Sequence, residues 1–410
     1  MKGHCSVGIF RKILAAGLLA LLLALAGGCG SRDEGAEPVV EEQSDTLKIG
    51  MSFDSFVIER WLRDRDQFSM TANNLGAEVN VQVANGEVDE QISQIRYFIK
   101  KKMDVIVVIA VDGGALSEVV DEAKKEGIRV ISYDRLLLNS DTDLYISFDN
   151  RKVGTLMGEA LIDALPDGGN IFAIYGSPTD HNVSQVRNGF LAVVGESDLN
   201  VIFSAYCENW LAELAFNAVE EGLATTPRNL AGVMCGNDDL ASQAFRALAE
   251  NRLAGKVVMV GQDADLAACQ RIVEGTQTMT VYKPVEELAQ TAAEFAGALG
   301  YEKMVEEGRI EETEVPQIAR DRLAELETLP TIPDGSAAVE DNGELFITVT
   351  GNTLNGDQWR SQHPQKEQDG HEVPYYGLEP IAVTKENMDE VIIGSDFHTE
   401  EDVYLNTEKE

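Results

Sequence analysis

Apolar residues follow two alternating patterns along most of the chain. Short runs rich in Val and Ile alternate with segments in which apolar residues recur every three or four positions. The first pattern predicts strands and the second predicts helices. In the first part of the chain we expect strands at 47–53, 78–83, 105–111 and 128–133, and helices at 58–75, 88–101 and 115–126.

The same alternation restarts after an extended run at 143–149. Repeated βα units of this kind predict a doubly wound parallel sheet, and two successive sets predict two similar lobes, each with its own core. The chain would cross between the lobes near 148–151 and return near 282–284, so we expect a multi-strand hinge. The strands of the second set are predicted at 170–175, 201–207, 231–235 and 257–260.

Residues 301–372 break the pattern. They are acidic and rich in turn residues, apart from one strand-like stretch at 343–351, GELFITVTG. We therefore treat this segment as an acidic insertion of unknown role and expect it to pack on the outside of one lobe. Regular alternation resumes at 373–398.

The N-terminus has the composition of a targeting segment. Residues 1–28 combine basic residues, the apolar run 13–26 and small residues directly before Cys29. This resembles a bacterial lipoprotein signal peptide with Cys29 as the lipidated mature N-terminus, the alternative being an ordinary secretory signal. The polar, acidic residues 29–46 would then form a flexible tether.

Charge and cysteine content narrow the function. The formal net charge is −37, from 70 acidic and 33 basic residues, which argues against binding nucleic acid or anionic membrane surfaces through the folded body. Cys207, Cys235 and Cys269 lack CxxC spacing, so we expect no zinc site. The sequence leaves open whether two of them are bridged.

Candidate binding residues in the first set follow predicted strands. Arg60 and Trp61 lie just beyond the first strand, and Asp134 and Arg135 follow the strand at 128–133. Ligands of open α/β sheets bind beyond the carboxyl ends of strands, where Arg and Asp can pair with hydroxyls and Trp can cover a sugar ring. The alternatives are a core Trp and a ligand-free salt bridge, and Asp64 is expected in a surface charge ladder.

The second set offers further candidates of the same kind. Asn182, Trp210, Asn237 and Asp263 follow predicted strands, and Lys283 ends the strand-like stretch 276–282. An anionic acceptor and a cationic donor at neighbouring strand ends suit a small, neutral, hydroxyl-rich ligand. A loop acid and a strand-end lysine without a ligand remain the alternative for Asp263 and Lys283.

Several of these segments resemble one known family. GQDADL at 261–266 and GTQTMTVYKP at 275–284 are similar to the signature of periplasmic D-xylose-binding proteins, within the type I sugar-binding family. Four further stretches of this chain resemble the family's sugar-contacting motifs: ERW at 59–61, YDR at 133–135, GSPTDHN at 176–182 and CENW at 207–210. His181 departs from the asparagine of the family pattern.

The resemblance implies a two-lobed periplasmic-binding-protein type I fold with a sugar cleft between the lobes. The nine candidates named above would be its ligand-binding residues. Residues 47–149 with 283–300 would form the N-terminal lobe, and 150–282 with 373–398 the C-terminal lobe.

The implied function is that of a substrate-binding lipoprotein of an ABC sugar importer. It would bind D-xylose without a cofactor, as a monomer in the periplasm or at the outer face of the cytoplasmic membrane. Its partners would be an ABC permease and ATPase, with membrane contact only through the lipid anchor. Alternatives are another aldopyranose such as glucose, or a sugar sensor for a chemoreceptor or sensor kinase. We expect no enzyme, because no nucleophile with its base, carboxylate pair, metal cluster or phosphate loop stands out.

Overall fold

The computed structural model describes residues 45–227, 229–335, 345–348, 350–362 and 370–407. The predicted signal peptide, Cys29 and nearly all of the tether lie outside these residues. The described chain contains two sheets of mostly parallel strands flanked by helices, which confirms the predicted α/β fold class.

The first sheet has seven strands in the order β11-β14-β5-β4-β3-β1-β2. Strands β1 to β5 are mutually parallel where they pair, and helices connect the first four. With its helices we call this sheet the first lobe. Its early elements are β1 (Leu47–Phe53), α1 (Arg60–Asn74), β2 (Ala77–Val83), α2 (Val88–Lys100), β3 (Val105–Val108), α3 (Ser117–Lys125), β4 (Arg129–Tyr133) and β5 (Leu144–Phe148).

The second sheet has eight strands in the order β13-β12-β7-β6-β8-β9-β10-β15. With its helices we call it the second lobe. Its main elements are α4 (Asn150–Ala164), β6 (Gly169–Tyr175), α5 (His181–Val194), β7 (Leu199–Cys207), α6 (Ala212–Thr225), β8 (Leu230–Cys235), α7 (Asp238–Glu250), β9 (Val258–Gln262), α8 (Leu266–Val273) and β10 (Met279–Tyr282).

Helix α9 (Val285–Glu306) returns the chain to the first lobe, where it packs against α1. It is the longest described helix, yet neither it nor any other described helix is long and apolar enough to cross a membrane. Helix α10 (Gln317–Leu326) packs against α9. The chain therefore leaves the first lobe after β5 and re-enters it after β10.

Strand pairing corrects the assignment of residues 373–398 to the second lobe. Strand β14 (Glu372–Leu378) pairs in parallel with β5 in the first sheet, whereas β15 (Ile381–Val383) pairs antiparallel with β10 in the second. Residues 373–398 are divided between the two sheets because the chain crosses again from the first lobe to the second at 378–381. Beyond it, α12 (Glu400–Val403) packs against α8.

The insertion does not pack on the outside of one lobe, as the sequence suggested. Strand β11 (Thr331–Pro333) extends the first sheet by pairing with β14. Strands β12 (Leu345–Ile347) and β13 (Thr353–Asn355) form a hairpin that extends the second sheet beside β7, and α11 (Gly356–Gln362) follows it. The segment therefore supplies edge strands to both lobes.

Capping residues fix the turns that lead from strands into helices. Asp149, Asp180 and Asn237 each accept a hydrogen bond from a backbone N–H in the first turn of α4, α5 and α7 respectively. Such caps satisfy donors that the helix cannot pair internally. They place polar side chains beyond the carboxyl ends of β5, β6 and β8, which face the cleft between the lobes.

Candidate functional site

A cleft between the two lobes gathers most of the predicted binding residues. It is bounded by residues that follow β1 and β4 in the first lobe and β6, β7, β9 and β10 in the second. The space among its lining atoms, including the part open to solvent, is about 470 Å³. Eight of the nine candidates line it: Arg60, Trp61, Asp134, Arg135, Asn182, Trp210, Asp263 and Lys283.

Arg60 is held between two buried carboxylates. Its Nη1 lies 2.9 Å from Asp134 Oδ2, and its Nε and Nη2 donate to the two oxygens of Asp64. Asp64 is fully buried and also accepts from Tyr133, so its placement in a surface charge ladder is wrong. The surface prediction failed because Asp64 lies one helical turn after Arg60 on the buried side of α1.

Arg135 links the two lobes. Its Nη1 donates to Asp54 Oδ2 and to the carbonyl oxygen of Ala110, both in the first lobe. Its Nε lies 2.9 Å from Asp180 Oδ2 in the second lobe. Arg135 is only 3% exposed, so its guanidinium closes the space between the lobes as a buried charged group.

Asn182 makes a second link between the lobes. Its Nδ2 donates to the backbone oxygen and to Oδ1 of Asp134, and its Oδ1 accepts from Tyr145. Burial alone would raise the pKa of Asp134, but the positive charges of Arg60, Lys283 and Arg135 outweigh it and lower that pKa. Asp134 is therefore a carboxylate acceptor at neutral pH.

Two tryptophans and a lysine complete the polar and apolar walls. Trp210 Nε1 donates to Asp180, and the indole lies against Gly176, where any Cβ would overlap the ring. The Arg60 guanidinium stacks over Trp61 at 4.5 Å. Lys283 Nζ lies 2.7 Å from Asp263 Oδ1 in an ion pair whose angle falls outside hydrogen-bond geometry.

Three of these residues have positive φ, which non-glycine residues seldom adopt. The angles are 60° at Asp134, 57° at Trp210 and 95° at Asp263. Such conformations cost energy and persist where the surroundings enforce them, often at binding sites. Strain at three separate loops of one cleft fits a site shaped for a ligand.

Asn237 lies beside the cleft but does not line it. Its Oδ1 accepts from the backbone of Leu240 as the cap of α7, while its neighbours Gly236 and Gln262 line the cleft. Its Nδ2 is buried without a hydrogen-bond partner among the described residues. Any contribution of Asn237 to a ligand would come from this amide nitrogen.

Sequence reasoning did not select four polar or aromatic residues of the cleft. Asp180 was open to detection, because it stands two positions before Asn182 in the motif GSPTDHN. Nothing in the sequence pattern distinguished the others from capping or core residues. The four are Asn150, Tyr175, Asp180 and Gln262.

Buried polar atoms without protein partners remain in the cleft. Among the described residues, no hydrogen-bond partner is found for Trp61 Nε1, Arg135 Nη2 or Gln262 Oε1. Buried polar groups are nearly always paired, so such atoms mark positions where a polar ligand would bind. Two donors and one acceptor match the mixed character of sugar hydroxyls.

The described part of the chain bears on the sequence expectations for metal ligands, the cysteines and His181. No group of three His, Cys, Asp or Glu residues there could hold a metal ion. Cys207, Cys235 and Cys269 are free and buried, which answers the open question of a bridge, and burial raises the pKa of each thiol. Burial likewise lowers the pKa of His181, so this residue is neutral at physiological pH.

An acidic cluster flanks the cleft at the start of α7 and gives a pH prediction. Burial, with the charges of Asp263 and Glu59, raises the pKa of the partly exposed Asp239 to about 6. Because the unfolded chain releases this proton near pH 4, stability should fall as pH rises from about 4 to 6. Asp239→Asn should remove that loss and stabilise the protein by about 1–2 kcal/mol at pH 7.5, after allowance for solvent screening.

Thermal or urea unfolding at pH 4.5 and 7.5 measures this effect. The stability difference between Asp239→Asn and wild type should be larger at pH 7.5 than at pH 4.5. Asp121→Asn, at an exposed position of α3, is the matched control and should show no such change. An equal difference at both pH values would contradict the raised pKa.

Comparison with known proteins finds a matching family model and similar periplasmic proteins. A family model described as a periplasmic binding protein domain matches residues 49–303. The D-xylose-binding periplasmic protein of Haemophilus influenzae is 40% identical over 365 residues, covering 88% of this chain and 93% of that protein. The D-xylose-binding periplasmic protein of Escherichia coli is 46% identical over 265 residues, covering 64% and 80%.

A solved structure is similar over most of the chain. An ABC transporter solute-binding protein from Clostridium phytofermentans with bound β-D-glucose matches with a TM-score of 0.64 and 25% identity. The match covers 87% of this chain and 99% of that one. These relatives are named as binding proteins, and the cleft described above lies within the region matched by the family model.

Proposed function

Because the chain belongs to the periplasmic binding protein domain family, we propose that it is the D-xylose-binding component of a bacterial ABC importer. We choose D-xylose as the ligand because two relatives that match most of the chain are named for this sugar. An ABC permease and its ATPase would receive the sugar, and the protein would act as a monomer in the periplasm.

One observation carries the proposal: both lobes contribute buried, charged and partly unpaired polar groups to one small cleft. Arg60, Asp134 and Arg135 come from the first lobe, and Asp180 and Asp263 from the second, all at most 5% exposed. A neutral sugar has several hydroxyls that each donate and accept, so it suits such a mixed set better than an anion or cation would.

Binding of this kind would couple the sugar to lobe closure. Contacts such as Arg135 with Asp180 and Asn182 with Asp134 join residues from opposite lobes. A ligand that touches both lobes favours the closed arrangement by its differential affinity for it. The permease would then distinguish the closed, loaded protein from the open one.

Arg135 also bears on ligand size. A second space, partly open to solvent, lies beyond it and shares Arg135 and Trp210 as lining residues. The guanidinium is fixed by Asp54, Ala110 and Asp180, so it forms part of the wall between the two spaces. This wall favours a ligand of a single sugar ring.

Isothermal titration calorimetry with a panel of pentoses and hexoses tests the proposal. D-xylose should bind most tightly, and it should raise the melting temperature because it binds only the folded state. D-glucose is the second candidate, since the similar solute-binding protein from Clostridium phytofermentans holds β-D-glucose. Absence of heat and of thermal shift with every sugar would refute the sugar-binding function.

The anchor is a separate part of the proposal and rests on the sequence pattern around Cys29. Acyl chains on this cysteine would hold the protein at the outer face of the cytoplasmic membrane. Cys29→Ser should move the protein from the membrane fraction to the soluble fraction, as judged by fractionation and immunoblotting. Cys5→Ser, within the signal segment, is the control, and unchanged membrane association of Cys29→Ser would disprove the lipid anchor.

A further inference from the structure

A column of aromatic rings runs from the insertion to the wall of the cleft. Tyr175, the last residue of β6, lines the cleft, and its ring centroid lies 5.1 Å from that of Tyr206 on β7. Tyr206 stacks on Phe346 of β12 at 4.7 Å with an angle of 5° between the planes. Phe346 stacks in turn on Trp359 of α11 at 4.9 Å and 16°.

Strand register explains why the rings align. Tyr175 is paired with Tyr206 across β6 and β7, and Tyr206 with Phe346 across β7 and β12. Side chains at paired positions of neighbouring strands project from the same face of a sheet. Three adjacent strands thus hold three rings side by side, and Trp359 covers the outermost one.

The insertion changes the environment of β7. This strand pairs with β6 on one side and with β12 on the other. Without β12 it would be an edge strand, and Tyr206, now 2% exposed, would lose its cover on that side. The insertion therefore fixes a ring that packs directly against the cleft wall.

From these contacts we propose that Phe346 and Trp359 are positioning residues that hold Tyr175 in place for sugar binding. They touch no ligand themselves and act through Tyr206. Stacked aromatic pairs contribute beyond the area that they bury, and their planes restrict one another. The inference rests on the proposed sugar-binding function and assigns a role to the acidic insertion within it.

Phe346→Ala tests the inference through D-xylose affinity, measured by calorimetry, and through the sugar dissociation rate, measured by stopped-flow fluorescence. The dissociation constant should rise about tenfold, as expected when the Phe346 ring no longer stacks on Tyr206 and on Trp359. Dissociation should become faster by a similar factor, because the closed site is less well held.

Ile347→Ala is the matched control, since Ile347 is 1% exposed and neighbours Phe346 on β12 but projects from the opposite face. It should lower the melting temperature of the sugar-free protein, as Phe346→Ala does, while leaving affinity within about twofold of wild type. Trp359→Phe keeps a ring over Phe346 and should therefore retain wild-type affinity. If Phe346→Ala does not fold, Phe346→Leu keeps the apolar volume without the ring and should still weaken binding.

The outcomes separate this inference from the proposed function. If the wild type binds D-xylose and the folded Phe346 variants bind it with the same affinity, the positioning role alone is overturned. Equal weakening in Ile347→Ala would also overturn it, because the effect would then follow stability and not the rings. A wild type that binds no sugar would overturn the proposed function and this inference with it.

Discussion

Asp263→Ala should weaken D-xylose binding by about 2–4 kcal/mol, or roughly 30- to 1,000-fold in dissociation constant. Asp263 lines the cleft, is 5% exposed and pairs with Lys283 at 2.7 Å. Under the proposed function, its loss would remove a charged acceptor for a sugar hydroxyl. It also leaves Lys283, itself 6% exposed, as a buried cation without this partner.

Calorimetry and thermal shift measure this effect together. The variant should keep its fold but lose the rise in melting temperature that D-xylose gives to the wild type. Asp263→Asn is the informative companion, because it keeps the shape and one acceptor oxygen while removing the charge, and we expect an intermediate affinity. Wild-type affinity in Asp263→Ala would refute the placement of the sugar beside Asp263.

Gly154→Ala should destabilise the second lobe by about 3 kcal/mol, the largest stability effect that we expect from adding one methyl group. Helices α4 and α5 cross so closely that a Cβ at Gly154 would overlap the carbonyl oxygen of Val186. The same holds at Gly189, where a Cβ would overlap the carbonyl oxygen of Arg151. Backbone atoms cannot rotate away, so the helices would have to separate.

Urea unfolding followed by circular dichroism measures this loss, and Gly158→Ala on the same helix is its control. The nearest atom to a Cβ at Gly158 belongs to the side chain of Val193, and the nearest backbone atom, the carbonyl oxygen of Phe190, is 3.3 Å away. We therefore expect a smaller loss there than at Gly154. Similar losses at Gly154 and Gly158 would argue against the close backbone crossing.

Local pattern determined much of the architecture. The apolar runs and helical spacings of 47–133 and 170–273 match the observed strands and helices within a few residues. Such elements are predictable because burial of one face, or of both faces of a central strand, is encoded in residues close in sequence. The cleft residues Arg60, Asp134, Asp263 and Lys283 were accessible by the same means, since each lies at or just beyond the end of a predicted strand.

Other features required the tertiary structure. Asp64 is spaced like a surface residue, and only the packing of α1 turns it into a buried partner of Arg60. Asn237 has the residue type and position of a ligand contact, but its oxygen caps α7. A capping role and a binding role use the same residue types, so sequence could not separate them.

The sequence by itself determined the two sets of βα units, the strand ends that carry the polar residues, and the acidity that argues against nucleic-acid binding. Only the tertiary structure decided which strands of residues 331–383 join which sheet, and that Phe346 and Trp359 of the insertion stack toward Tyr175. The physical reason is the distance along the sequence between the residues that interact. Hydrophobic period and strand ends are local properties of the chain, whereas the pairings of β12 with β7 and of β14 with β5 join residues more than a hundred positions apart and depend on how the chain packs.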